Sequence, residues 1–454
     1  MGLMPPQDAM FILGEDREQP MHVGSLQVFD LPEDAGDDFV ARLYEQAIDV
    51  QDVAPLFRKR PRRSVTTGGQ WSWVEDDDLD LEHHVRHSAL PRPGRVRELL
   101  ALASRLHGTL LDRKRPLWEA HLIEGLEGNR FAVYTKLHHS LMDGVSGLRL
   151  MQRSMSTDPS DHVDMPYANR PRPKRETEDD GGLLGLPGAA LHTAIDAAGT
   201  LPMLLKLAQK ALVEQTATLP MTAPRSMFNV SITGSRRFAA DSWSLERIRA
   251  VAKAADATVN DVVLAMCSGA LREYMLELDA LPGSPLVAMT PVSLRSGDDD
   301  DEPSNAVGTI LCSLGTHLAD PELRLQAVRQ SMLAGKEVMR GRSQLQVTAL
   351  SAAVMTPLAV GTLLPLHRVA SPPYNLVISN VPGPTETLYF NGARLEGLYP
   401  LSIPTQGQAL NITVTSYDGH LQFGLTGCRR SVPRLQRLLG HLEDALTGLE
   451  KAYR

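Results

Sequence analysis

Alternating apolar and polar positions mark strands in this chain, and apolar positions three and four apart mark helices. The pattern predicts a strand over residues 21–29 and helices over 37–48 and 96–111. Residues 122–123 and 131–137 predict a strand pair turning at Glu127-Gly128-Asn129, and a helix follows over 145–154. Further strands are predicted over 286–292, 376–381, 410–417 and 420–426, the last two forming a hairpin around Asp418-Gly419. An amphipathic helix closes the chain over 432–452. Two long apolar stretches, 183–216 and 344–364, are broken by Pro187, Pro202 and Pro357. They read as helices covering a core. The other reading, a surface that touches lipid, calls for more basic residues than Lys206 and Lys210.

Residues 158–182 interrupt the periodicity with prolines and opposed charge blocks, Arg170-Pro171-Arg172-Pro173-Lys174-Arg175 and then Glu176 to Asp180. Such a segment is expected to be an exposed linker between a first domain, 1–157, and a second, 183–454. A chain of 454 residues exceeds what one core ordinarily supports, so two domains are expected on size alone. The formal charge of −8, from 54 acids and 46 bases, gives no reason to expect nucleic acid as a partner. Three scattered cysteines, Cys267, Cys312 and Cys428, do not make a disulfide framework and suit a reducing compartment. No secretory signal pattern opens the chain and no apolar run is long enough to span a bilayer, so the cytoplasm is the expected location.

The chemistry concentrates in His138-His139-Ser140-Leu141-Met142-Asp143-Gly144, at the end of the strand over 131–137. A neutral imidazole is the side chain best matched to taking a proton near neutral pH. Alternation places Val133, Thr135, Leu137 and His139 on one face and Ala132, Tyr134, Lys136 and His138 on the other. One imidazole therefore faces the chemistry while the other is structural, and alternation alone allows either. Asp143 either orients the motif or caps the helix beginning at Gly144. Gly144 is expected to permit close approach or an unusual backbone angle. A metal site is disfavoured because the strand separates the two rings, so none is expected. A second cluster, His83, His84 and His87, lacks a suitably spaced Cys or acid and reads as surface strand or loop.

This motif resembles the HHxxxDG signature of the CoA-dependent acyltransferase superfamily. Other segments make the chain similar to the bacterial wax ester synthase/diacylglycerol acyltransferases: Pro116-Leu117-Trp118-Glu119, Asn260-Asp261-Val262-Val263-Leu264-Ala265, Pro291-Val292-Ser293-Leu294-Arg295 and Ser379-Asn380-Val381-Pro382-Gly383-Pro384. Met21-His22-Val23-Gly24 fits the same pattern, and the resemblance covers nearly the whole chain. It implies an α/β (α+β) fold of two chloramphenicol acetyltransferase-like domains, with mixed sheets and a substrate tunnel between them. It implies transfer of a fatty acyl group from acyl-CoA to diacylglycerol or a long-chain alcohol, with no further cofactor. It selects His139 as general base, with His138, Asp143 and Gly144 completing the motif. Asp143 is then expected to be structural, bracing the loop through a charge pair with Arg295. Asn260 is expected to donate to the oxyanion or position acyl-CoA, unless it caps a helix starting at Asp261. Trp118 reads as scaffold, and Ser379 and Asn380 as tunnel wall or inter-domain contact. Peripheral contact with the inner membrane or a lipid droplet is expected because the products are insoluble.

Two other readings stand beside this one. A condensation-type enzyme would take carrier-bound acyl donors, but the Trp118 and Asn260 segments and the lack of an attached carrier module argue against it. A silent lipid-binding homologue would have no use for the intact His139, Asp143 and Gly144.

Overall fold

The computed structural model describes residues 2–64, 68–169, 223–293, 307–340 and 372–454. The stretches over 183–216 and 344–364, Arg295, and the basic and acidic blocks of the expected linker lie outside the described residues. The first part of the chain supplies strands β1 (Gly2–Leu3), β2 (His22–Asp30), β3 (Lys59–Arg63), β4 (Trp71–Glu75), β5 (Val85–Ala89), β6 (Trp118–Leu126) and β7 (Arg130–His138). Its helices are α1 (Pro6–Gly14), α2 (Phe39–Ile48), α3 (Leu81–His84), α4 (Val96–His107) and α5 (Gly144–Gln152). The second part supplies β8 (Arg236–Ser244), β9 (Val287–Ser293), β10 (Val307–Ser313), β11 (Leu376–Val381), β12 (Tyr389–Phe390), β13 (Ala393–Leu401), β14 (Leu410–Tyr417) and β15 (His420–Cys428). Its helices are α6 (Leu245–Ala254), α7 (Val259–Leu276), α8 (Pro321–Met339) and α9 (Arg437–Ala452).

Two six-stranded sheets organise these elements, in the orders β12-β13-β2-β7-β6-β5 and β10-β9-β11-β14-β15-β8. Both are mixed: β5 runs parallel to β6, and β11 runs parallel to β9 and β14, while the other pairings are antiparallel. A small sheet, β1-β4-β3, stands apart from them. The fold is thus mixed α/β with mixed sheets, as the sequence led us to expect.

The chain-order division does not separate the sheets. β13 lies far beyond residue 183, yet it pairs with β2 and carries β12 into the first sheet. Residues 158–169, expected in an exposed linker, partly fold back onto the first core: Met165 and Tyr167 are buried there, and the Tyr167 hydroxyl donates to the Ala47 carbonyl at 2.6 Å. A predicted end also moves. The helix expected over 96–111 stops at His107, where Gly108 supplies the C-cap.

Both faces of the first sheet are covered. On one face Leu26, Ala132 and Tyr134 pack against Leu99 and Ala103 of α4, together with Phe238 of β8. On the other, Phe29, Phe131 and Leu137 pack with Val40 and Leu43 of α2 and Leu148 of α5. Helix α4 is therefore shared between the halves, and Ser104 Oγ on it accepts the Phe238 N–H at 2.8 Å.

Candidate active site

The two cores pull successive β7 side chains to opposite sides, and this fixes the two imidazoles. His138 follows Tyr134 and Lys136 toward α4 and is fully buried. Its Nδ1 accepts the Ser140 N–H at 3.1 Å and lies 2.6 Å from Ser140 Oγ. The ring proton is thereby assigned to Nε2, which lies 3.3 Å from Glu15 Oε2. Glu15, just after α1, is itself buried. It accepts the Met21 N–H at 3.0 Å, and Arg113 donates to its other oxygen from Nε at 3.1 Å and from Nη2 at 3.0 Å. Burial alone would raise the Glu15 carboxyl, but the His138 contact, the Met21 N–H and the Arg113 charge bring it below 4.5.

His139 turns the other way. It is half-buried, its N–H donates to the Met21 carbonyl at 2.8 Å, and its ring stacks on Phe11 of α1 with centroids 4.2 Å apart. Burial lowers its affinity for a proton below the ordinary value of 6.5, although its own backbone and the Asp143 carboxylate act in the opposite sense. A ring so placed is neutral near pH 7 and able to accept a proton.

Asp143 is the N-cap of α5. Its Oδ1 accepts the Ser146 N–H at 2.7 Å and its Oδ2 the Ser146 hydroxyl at 3.1 Å. Gly144 differs from expectation. Its φ is not positive, and a Cβ there would meet no atom within 4 Å, so the protein's own packing does not require glycine at this point.

The face of β7 that leads to His139 lines a small apolar cavity of about 50 Å³. Val133, Thr135 and Leu137 form one wall, and Met151, Met155 and Met165 lie among the residues around it. Phe390 of β12 also contributes, so this cavity belongs to the first sheet and its covering helices, whereas the expected tunnel lay between domains. Trp118 lines it as scaffold: its Nε1 donates to the Phe57 carbonyl at 2.8 Å and its ring stacks on His84 and Tyr167.

Asn260 does not cap its helix. Thr258 does, in a capping box with Asp261. This frees Asn260, in the first turn of α7, to accept from Asn380 Nδ2 at 3.4 Å. Asn380 and Ser379 stand near the end of β11, and the next residue, Val381, packs against the core that holds Leu137 and Leu148. The Pro382-Gly383-Pro384 turn packs on β14, where the Gly383 N–H donates to Ser416 Oγ at 2.9 Å.

Sequence reasoning missed Glu15, Arg113 and Phe11, which no local pattern marks, because tertiary packing alone brings them to the motif. It also missed a buried charge cluster beneath it. Lys136 Nζ lies 3.1 Å from Glu119 Oε2 and donates to the carbonyls of Leu106 and Thr109 at 3.2 and 2.9 Å. Burial works to raise Glu119, but the His121 hydrogen bond and the Lys136 charge bring it to about 2. The second histidine cluster is corrected too. His84 is buried, with Nδ1 2.8 Å from the Trp118 carbonyl oxygen, so it braces Trp118 and is not a surface residue. Among the described residues no group of three His, Cys, Asp or Glu side chains is placed to hold a metal ion.

Comparison with known proteins gives this arrangement its class. Residues 4–263 match the wax ester synthase/diacylglycerol acyltransferase catalytic domain, and residues 304–450 match the WS/DGAT C-terminal domain. The fold also resembles the first condensation domain of the calcium-dependent antibiotic synthetase (TM-score 0.59, 17% identity, covering 100% of this chain and 96% of that one). That likeness speaks to fold alone. The chain belongs to the wax ester synthase/diacylglycerol acyltransferase family. It is 53% identical, over 100% of its length and 99% of the relative's, to "Probable diacyglycerol O-acyltransferase tgs2" of Mycobacterium tuberculosis strain H37Rv. A wax ester synthase/diacylglycerol acyltransferase from Marinobacter aquaeolei VT8 superposes with a TM-score of 0.81 at 44% identity, covering 100% of both chains.

Proposed function

We propose that the protein transfers a fatty acyl group from acyl-CoA to the hydroxyl of diacylglycerol, of a long-chain alcohol, or of both. The observation that carries this reading is the half-buried His139, which follows the end of β7 two residues after Leu137, a residue of the apolar cavity wall. His139 takes the acceptor's hydroxyl proton as that oxygen attacks the thioester carbonyl. The tetrahedral intermediate collapses, the C–S bond breaks, and the CoA thiolate takes the proton from the imidazolium. General base catalysis of this kind contributes about 100- to 10,000-fold. Acyl-CoA is the co-substrate, and its thioester already activates the acyl group, so the step calls on no further cofactor. The apolar β7 wall gives a hydrocarbon chain a surface to lie along, and the joined Asn260 and Asn380 orient the donor. Because acceptor and product dissolve poorly in water, we place the enzyme in the cytoplasm in peripheral contact with a membrane or lipid droplet. Among the described residues no helix is long and apolar enough to cross a membrane.

The test is thiol release from palmitoyl-CoA in the presence of a dissolved alcohol or of diacylglycerol, with the ester identified by thin-layer chromatography. His139→Ala should abolish release while its circular dichroism spectrum stays that of the parent. Equal release from both proteins would overturn the assignment of the base.

A further inference from the structure

We propose that Gln19 is a positioning residue for the acyl-transfer base, and that through it the second half of the chain holds His139 in place. This deepens the acyl-transfer reading and rests on it, because it concerns how the base of that reaction is held.

Residues 15–21, which carry Gln19, join α1 to β2 and face the motif on one side. Glu15 Oε2 lies 3.3 Å from His138 Nε2 and accepts the Met21 N–H at 3.0 Å. The Met21 carbonyl accepts the His139 N–H at 2.8 Å. Phe11, stacked on the His139 ring, lies one turn before Glu15. One short run of chain therefore partners both imidazoles. Between Glu15 and Met21 it makes a tight turn, in which Asp16 Oδ1 accepts the N–H groups of Glu18 and Gln19 at 2.7 and 2.9 Å.

On its other side the second half clasps this turn at successive residues. A Cβ at Gly234 would stand 2.3 Å from the Arg17 carbonyl oxygen, so the two backbones are in close approach. The Glu18 carbonyl accepts at 2.8 Å from Nη2 of Arg236, which is buried at the start of β8. The Gln19 side chain is buried, and its Oε1 accepts at 2.6 Å the N–H of Gln406, in the connection between β13 and β14. Its Nε2 donates to the Gly14 carbonyl at 2.9 Å. That carbonyl belongs to the last turn of α1, where the helix itself supplies no donor. The two partners, an N–H and a carbonyl, fix which end of the amide is oxygen. One side chain thus ties the second half to the end of the helix that carries Phe11, beside Glu15. An apolar side chain of the same size would leave both partners unmet.

Loss of this tie frees the end of α1, and Phe11 with it, to draw back from His139. The ring then regains water. Burial is what depresses its pKa, and the charged and titratable neighbours whose fields it feels are Asp143 and His138, neither of which is altered. The His139 pKa should therefore rise toward 6.5.

The experiment follows the His139 ring by NMR titration of the full chain with labelled histidine, its signal assigned by its absence from His139→Ala. Thiol release from palmitoyl-CoA with a dissolved alcohol is measured on the same proteins. Gln19→Met keeps the size of the side chain and loses both bonds. Gly234→Ala reaches the same turn independently, by pressing on the Arg17 carbonyl. Each should raise the His139 pKa and lower kcat by about tenfold, with KM for palmitoyl-CoA within about twofold of the parent. Arg394→Gln breaks another tie, from β13 to Asp30 at the far end of β2 at 2.7 Å, and should change none of these. The titration reads folded protein, so a variant that is only less stable does not mimic the shift. An unchanged His139 titration in both strap variants overturns the positioning role whatever the activity does, and so does an equal shift in Arg394→Gln. Parent protein that releases no thiol removes the acyl-transfer reading, and the titration still decides whether Gln19 holds the ring.

Discussion

Replacing Glu15 by glutamine tests how the motif is held. The side chain keeps its size and loses its charge. The carboxylate serves three partners on its two oxygens: Arg113 at 3.0 and 3.1 Å on one, and the Met21 N–H at 3.0 Å with His138 Nε2 at 3.3 Å on the other. An amide has one oxygen and one NH2, so in either orientation it presents a donor to a donor. Breaking a buried ion pair costs about 3–5 kcal/mol. Arg113 keeps 37% of its side chain exposed and can regain water, so a loss of about 2–3 kcal/mol is expected from urea denaturation. His138 is bonded in sequence to His139, and a small misplacement of the base should lower kcat for thiol release by about 10- to 100-fold. The pH dependence gives an independent check. The folded-state pKa of Glu15 is depressed, so its contribution is present above 4.5 and is lost as pH falls through the folded value. The stability gap between parent and Glu15→Gln should therefore be widest at neutral pH and should close in acid. A variant within about 0.5 kcal/mol of the parent at neutral pH, with kcat unchanged, would refute this account.

Two further outcomes can be checked directly. Burial depresses His139, and a base acts in its neutral form, so kcat/KM should hold as pH falls to 6.5 and decline only below it; an acid limb centred above 6.5 would contradict the burial argument. Lys136→Met should destabilise the fold by about 3 kcal/mol, read from urea denaturation, because it takes the cation from the buried Glu119 carboxylate and leaves it only His121 and the more distant Arg86; an unchanged midpoint would show that the cluster contributes nothing.

Much of the central architecture was legible. The strands β2, β7, β11, β14 and β15 alternate, or run apolar where both faces are covered, and the sequence shows them within a residue or two at most of their ends. Alternation along β7 also separated the imidazoles correctly, although only the resemblance chose between them. What was not legible had other causes. β13 contains Gly397 and Pro400 and a register shift between Leu395 and Gly397, so it reads as a loop until β2 is there to pair with it. β3, Lys59-Arg60-Pro61-Arg62-Arg63, has no apolar alternation and is a strand only because it pairs with the two-tryptophan strand β4. The helix boundary at Thr258 turned on which of three nearby polar residues caps, and side-chain geometry decides that. Glu15 could not be found from sequence, since a lone carboxylate beside Asp16 looks like solvated surface until burial removes its water.

The crossing of β13 bears on how the chain could be divided. Beyond its pairing with β2, β13 presses on the other sheet: a Cβ at Gly424 of β15 would lie 1.8 Å from the Pro400 carbonyl oxygen. A gene cut between residues 170 and 222 would leave one fragment with an unpaired sheet edge and the other with a strand that has nowhere to go. Neither piece should be stable when expressed alone, yet the two should rescue each other when co-expressed. That makes the protein a natural candidate for a split-enzyme reporter.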